Sequence, residues 1–448
     1  MTKQWAPLAV ILLAVCLFFL NRLVRPDEPV RKNDRELIQL WCTATPAQTI
    51  LHFKEQFEKL HPEYELEVQT VAWNSLQEKT LWAVAAGSNV PDLILGSSEW
   101  TGGLVRSGAL EPLDKHLPSE FFDQFFSNAL GTYQFPEVDR DDPTKVGEVR
   151  QYGIPLDLDM MMVFYRQDIV QPHLEALGMV EFPRDWVDFK RLGEAVYVPP
   201  KPREIARHLI YLDPEDPVPM RMAFLPASGG SLFSKDFRRA TFDSEESIAA
   251  FAYAAELIQD NVAKEWNQAT QGNPMELVKS ERIVGYIAGP WFCKLLESRA
   301  PELAGKWRVA LFPKRAPEYY STGLGGSCLA MPYNASNKAG AIALAKFLAS
   351  PDFAIEYFER VGSPPPLRSA WHNPVFEQTF GYFGEQKVYR VVKQAIDDSR
   401  PLQLLPNDQV MKQYVRRSMY EIVARDAEAT STLRRAVEAS NEVLGKGF

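Results

Sequence analysis

Apolar positions recur with two different periods along this chain, and the alternation between them outlines its elements. Leu37 to Thr43 (LIQLWCT) is a β-prone apolar run and reads as a strand. Ile50, Phe53, Phe57 and Leu60 follow at helical spacing and stop at His61-Pro62. Glu65 to Val71 alternates and reads as a second strand. Asn74 and Gln77 are spaced as a helix cap, and Gly87 closes that helix. Pro91 to Gly96 is a short buried strand running into a polar turn, Ser97-Ser98-Glu99-Trp100. Strands alternating with helices predict a mainly parallel sheet with ligands at its carboxyl ends, here Thr43–Pro46 and Ser97–Trp100.

The same reading continues past a charged surface excursion at Pro136–Arg150. Gln151 to Asp168 is an apolar run with two carboxylates, Asp157 and Asp159, which share side-chain parity in an extended strand. Asp185 caps a helix bearing Trp186, Phe189 and Leu192. Tyr197 to Pro219 is Pro-rich and reads as an irregular insertion, and Ser228 to Ser231 as a tight turn. Asp243 with Glu246 opens a further helix. A strand ends at Gly289-Pro290, which places the Trp291 indole at a strand-to-helix turn. Trp307 to Leu311 is another strand, and Ser321 to Ala330 a small-residue crossing. Ser336 caps a helix ended at Ser350-Pro351, Ser363 to Pro366 is a rigid connector, and two helices near Asn407–Ala424 and Thr430–Leu444 close the chain.

At 448 residues the chain exceeds one ordinary core, so two bodies are expected. Trp5 to Leu20 is an unbroken apolar run preceded by Lys3. It is long for a signal segment and slightly short for a spanning helix. Leu13-Ala14-Val15-Cys16 lacks the small residue a lipidation site wants before Cys16. Residues 1–35 are therefore expected to be an uncleaved membrane anchor and a polar tether, with the body outside the membrane. Those residues carry net +3 and the remainder −12 within a total of −9. No basic stripe is present, which argues against a nucleic-acid ligand. Cys16 lies in the leader. Cys42, Cys293 and Cys328 form no pairwise motif and read as buried thiols.

The order of motifs resembles the family 1 extracellular solute-binding proteins of ABC importers, the group containing the maltose-binding protein. The resemblance is carried by LWCT, by NVPDLILGSSEWTGGLVRSGALEPL, by YGIPLDLD…VFYRQDIV, by FPRDWVDF, by SERIVGYIAGPWF and by STGLGGSCLAMPYNASNKAGAIALAKFLAS. It covers roughly residues 37 to 445. It implies an α/β, two-lobe periplasmic-binding-protein fold with three interlobe crossings and a central ligand cleft. The crossings would fall near Tyr152–Asp159, Ser321–Met331 and Ser363–Asn373. The N-lobe would comprise 37–155 plus 331–368, and the C-lobe 156–325 plus 373–448. The implied function is the extracytoplasmic, monomeric substrate-binding subunit of an importer. It would deliver a carbohydrate or related polyol to ABC permease subunits at the periplasmic or outer face of the membrane.

Sugar recognition needs hydroxyl acceptors and flat apolar walls. Trp291 matches the family's Gly-x-Trp position. Asp157 and Asp159 are candidate acceptors, with lobe–lobe pairing as their alternative role. Ser97, Ser98, Glu99 and Trp100 end a buried strand, and Thr43 and Thr45 follow the first one. Gly325, Gly326 and Ser327 would offer backbone N–H groups or serve as a hinge, and Tyr414 would supply a late aromatic. No cofactor, metal-ligand spacing, GxSxG, P-loop or HExxH is present, so an enzyme is not expected. A glycosidase pair fails on placement: two acids on one strand face lie roughly 6–7 Å apart but side by side. The alternatives are a ligand sensor on the same fold and, less favoured, a glycan-processing enzyme.

Overall fold

The computed structural model describes residues 35–138, 146–202, 206–234, 239–402 and 408–445. The expected anchor and tether, apart from Arg35, lie outside the described residues, as does the middle of the Pro136–Arg150 excursion. No helix among the described residues is long and apolar enough to cross a membrane.

Two sheets organise the chain. The first has five strands among the described residues, in the order Tyr64–Thr70, Glu36–Cys42, Leu93–Ser97, Ser327–Ala330, Ile154–Pro155. The first three run parallel, as βαβ connections require, and Ser327–Ala330 runs antiparallel to both its neighbours. The helices Ala44–Leu60, Lys338–Leu348 and Pro351–Val361 share a core with this sheet, in which Ile38, Leu40, Phe57, Leu329, Leu344 and Tyr357 are buried. Asp92 ties the two parts together. Its Oδ2 accepts from Gln39 N–H (2.9 Å), and its Oδ1 accepts from Ser336 Oγ (3.0 Å) and Asn337 N–H (2.7 Å). Asn337, not Ser336, caps the following helix, its Oδ1 accepting from Gly340 N–H at 2.8 Å.

The second sheet is Gly285–Ala288, Met162–Arg166, Trp307–Leu311, and it is antiparallel throughout. The expectation of a mainly parallel sheet therefore holds for the first body alone. Phe164, Phe292, Trp307 and Phe383 fill the core on one side of it. Phe189, Phe224, Phe251 and Leu433 belong to the apolar core that continues through the carboxy-terminal helices.

Several local readings are corrected. Ser97–Trp100 is not a turn but the start of a helix, Ser98–Arg106, with Ser97 Oγ accepting from Glu99 N–H (3.2 Å). The charged excursion begins and ends as an antiparallel hairpin, Gln134–Val138 with Val146–Gln151. The Pro-rich stretch contains a strand, Ile210–Leu212, parallel to Ala263–Glu265, and then a helical turn capped by Asp216. Ser350-Pro351 ends one helix and also starts the next, Ser350 Oγ accepting from Phe353 N–H. Gly87 closes its helix as read, at φ 63°, with its N–H on Ala83 O and Val84 O.

Three chain segments lie side by side where the two bodies meet. Leu156 N–H donates to Ser327 O (2.9 Å), Asp159 and Gly325 exchange backbone hydrogen bonds (3.0 and 2.8 Å), and Leu158 N–H donates to Pro364 O (2.9 Å). Beyond them the helix Asp408–Met419 packs on Ser98–Arg106.

Candidate functional site

The two acids of the apolar run end in different surroundings. Asp157 is buried. Its Oδ1 accepts from Ser327 N–H (2.7 Å) and its Oδ2 from the Tyr357 hydroxyl (3.2 Å). Burial raises its carboxyl above the ordinary range, against the lowering effect of those two donors. Both oxygens are engaged within the protein, so Asp157 ties its own segment to those of Ser327 and Tyr357.

Asp159 has other neighbours. Its backbone is held by Gly325, while its Oδ1 is buried without a hydrogen-bond partner. Gly289 shows what it faces. A methyl group on that glycine would lie 1.9 Å from Asp159 Oδ1 and 2.7 Å from Trp291 Nε1. The carboxylate and the indole N–H edge thus converge on one point of bare backbone. Trp291 remains 39% exposed. Burial first, then the Asp157 and Glu99 carboxylates, push Asp159 up to about 7, against lowering by Met160 N–H and Trp291.

Glu99 reaches this place from the N-terminal turn of the helix Ser98–Arg106, and its charge acts on both Asp159 and Asp216. Asp216 is pushed up to about 6 by burial and by the charges of Asp213 and Glu99, while Val218 N–H and Arg221 draw it down. Asp213 accepts from Glu215 N–H and Gln268 N–H (2.9 Å each). Next to it the Tyr211 hydroxyl donates to Tyr286 (2.9 Å), and Tyr286 stacks on Phe292, the residue after Trp291. Asp213, Asp216, Tyr211 and Tyr286 were not singled out from the sequence. The signal for the acids was Asp-Pro-Glu-Asp-Pro at 213–217, within the stretch read as an insertion.

The remaining candidates divide. Ser97, Ser98 and Trp100 are buried. Ser98 N–H donates to Gly326 O (2.8 Å), and Ser98 Oγ lies 3.0 Å from where a Cβ on Gly325 would be. Trp100 is covered by Trp73 at 4.3 Å between ring centroids, and it is Trp73, half exposed, that faces outward. The amide of Gly325 donates to Asp159 O and that of Ser327 to Asp157 Oδ1. Gly326 has φ +131°, and a Cβ there would lie 2.2 Å from Asp157 O. Thr43 is half-buried at the first helix's N-cap with no side-chain cap bond, and Thr45 is exposed on its first turn. Tyr414 lines a groove with Arg417, Thr432 and Arg435 among the last helices. Among the described residues, no group of three or more His, Cys, Asp or Glu is placed to hold a metal. Cys42, Cys293 and Cys328 are buried free thiols.

A model of the family "Bacterial extracellular solute-binding protein" matches residues 43–355. A putative binding protein of Brucella abortus is 27% identical over 137 residues, which is 31% of this chain and only 29% of that relative's length. The arabinooligosaccharide-binding protein of Halalkalibacterium halodurans is 23% identical over 346 residues, 74% of this chain and 72% of the relative. Among solved structures, the sugar-binding protein MalE from Xanthomonas citri superposes with a TM-score of 0.76 at 18% identity, over 92% of this chain and 98% of that one. The GacH receptor of Streptomyces glaucescens gives 0.71 at 19% identity, over 92% and 100%.

Proposed function

The chain belongs to the bacterial extracellular solute-binding proteins and has their two-lobe fold, and from that premise we propose that it is the monomeric receptor subunit of an ABC-type sugar importer. It binds a carbohydrate or related polyol between its lobes and hands it to permease subunits. Its relatives are binding proteins, and its own acids fit recognition better than catalysis. The segments that meet at Asp157–Ser327 and Leu158–Pro364 are the crossings, and the lobes are 37–155 plus 331–368 and 156–325 plus 373–448. Residues 1–35 hold the body at the outer face of the membrane.

The observation that carries this reading is the convergence of Asp159 and Trp291 over Gly289, with Glu99 approaching from the other lobe. A carboxylate oxygen with no protein partner can accept from a hydroxyl, and an exposed indole face can cover a sugar ring. The ligand's place is the Asp159–Trp291–Glu99 region, with Trp73 at its margin. Asp157, Gly325, Gly326 and Ser327 form the hinge that positions it. A thermal-shift screen of the purified protein against sugars, polyols, sugar phosphates, polyamines and peptides tests the reading. Stabilisation by a sugar or polyol is expected. Stabilisation by peptides alone would overturn it.

A further inference from the structure

We propose that the solute taken at the Asp159–Trp291 site carries a positive charge: an amine-bearing sugar or polyol whose ammonium group is held by Asp159 while Trp291 covers the ring. This rests on the carbohydrate reading above and narrows it.

Three observations carry it. Asp159 Oδ1 is buried and has no hydrogen-bond partner, whereas both oxygens of its neighbour Asp157 are engaged. The site therefore contains one buried carboxylate oxygen, Asp159 Oδ1, left open to a donor from a ligand. Beside it stands the part-exposed Trp291 indole, and an aromatic ring next to a carboxylate is a pairing that suits an ammonium ion. Lastly, negative charge converges here from separate parts of the chain. Asp157 comes from the same segment as Asp159 and Glu99 from a helix start, and Glu99 acts in turn on Asp216 of the Pro-rich stretch, beside Asp213. Arg221 draws on the far member, Asp216. A neutral hydroxyl would satisfy the Asp159 oxygen but not the like charges of Asp157 and Glu99 that act on it. A cation answers both, because attraction between unlike charges in a site withdrawn from water is strong.

Titration calorimetry on the full chain at about pH 7 distinguishes the cases, using the glucosamine trimer, maltotriose and spermidine as probes, each in two buffers of different ionisation enthalpy. The account expects the glucosamine trimer to bind at least about tenfold more tightly than maltotriose. Net proton exchange with the buffer should differ between the two sugars, because Asp159 ionises and the amine takes up its proton only with the glucosamine trimer. Asp159→Asn should erase the difference between the two sugars. If that variant melts early, salt gives the same readout on the wild type: affinity for the glucosamine trimer falls several-fold from about 0.05 to about 0.5 M salt, while that for maltotriose holds. Maltotriose binding as tightly as the glucosamine trimer would overturn the charge inference and leave the sugar reading standing. Spermidine binding with neither sugar bound would support the charged site and retire the sugar reading. No binding of any probe would overturn the inference.

Discussion

Asp159 Oδ1 and Trp291 Nε1 meet over Gly289, at a point where a methyl group would lie 1.9 Å from the first and 2.7 Å from the second. The acid comes from a crossing segment and the indole from the turn after Gly285–Ala288, so each is placed by a different part of the chain. Glycine at 289 is what lets both approach the backbone. Gly289→Ala must displace the carboxylate by more than about 1 Å and the indole edge by a few tenths of an ångström. Ligand affinity should fall by more than about tenfold, with a smaller loss of thermal stability. Calorimetric titration beside a thermal melt checks this.

Asp157 should behave as a structural group. Asp157→Ala leaves Ser327 N–H and the Tyr357 hydroxyl without their acceptor in a buried place. Each orphaned donor costs about 1–3 kcal/mol, so a loss of about 2–6 kcal/mol is expected in urea denaturation. Asp157→Asn retains an acceptor oxygen and should cost less.

Gly326→Ala tests the same junction from the opposite strand. The φ of +131° disfavours any side chain, and the new methyl would lie 2.2 Å from Asp157 O. The variant should be destabilised by at least about 2 kcal/mol, read as a lowered urea midpoint.

The ligand-free protein should lose stability between about pH 5 and about pH 7. Asp159 has its carboxyl raised from 3.8 to about 7, and Asp216 from 3.8 to about 6. A carboxyl raised by folding stabilises the fold while it is protonated. That contribution is complete below its unfolded value and is lost as pH rises through its folded one. Glu58, Glu111 and Asp168 are lowered instead, so their stabilisation is lost only in more acidic solution. Thermal melts across this range should show a falling melting temperature, and Asp159→Asn should flatten the slope.

Much of this was legible in the sequence where local physics decides. Trp307–Leu311 is a strand by its alternation, and Gly87 ends a helix because the chain must turn left-handed there. Motif order pointed to the fold, and Trp291 after Gly289-Pro290 stood out as a turn-borne indole. Side-chain parity put Asp157 and Asp159 on one face, but parity cannot say what each acid meets. One meets Ser327 and Tyr357, 170 and 200 residues away, and the other meets Trp291. Ser97–Trp100 read as a polar turn because a capping serine looks like a turn serine until the helix after it is seen. The acids at 213 and 216 were hidden because proline punctuation read as irregular chain, whereas here Asp216 and Pro217 start a helical turn.

The measurement that bears most directly on the account is the affinity of Trp291→Ala for whichever sugar or amino-sugar stabilises the wild type most. The account predicts at least about a tenfold loss in calorimetric titration, with the melting temperature close to that of the wild type, because this indole is substantially exposed and removing it leaves no core cavity. Wild-type affinity in that variant would contradict the account and take the ligand away from the Asp159–Trp291 site.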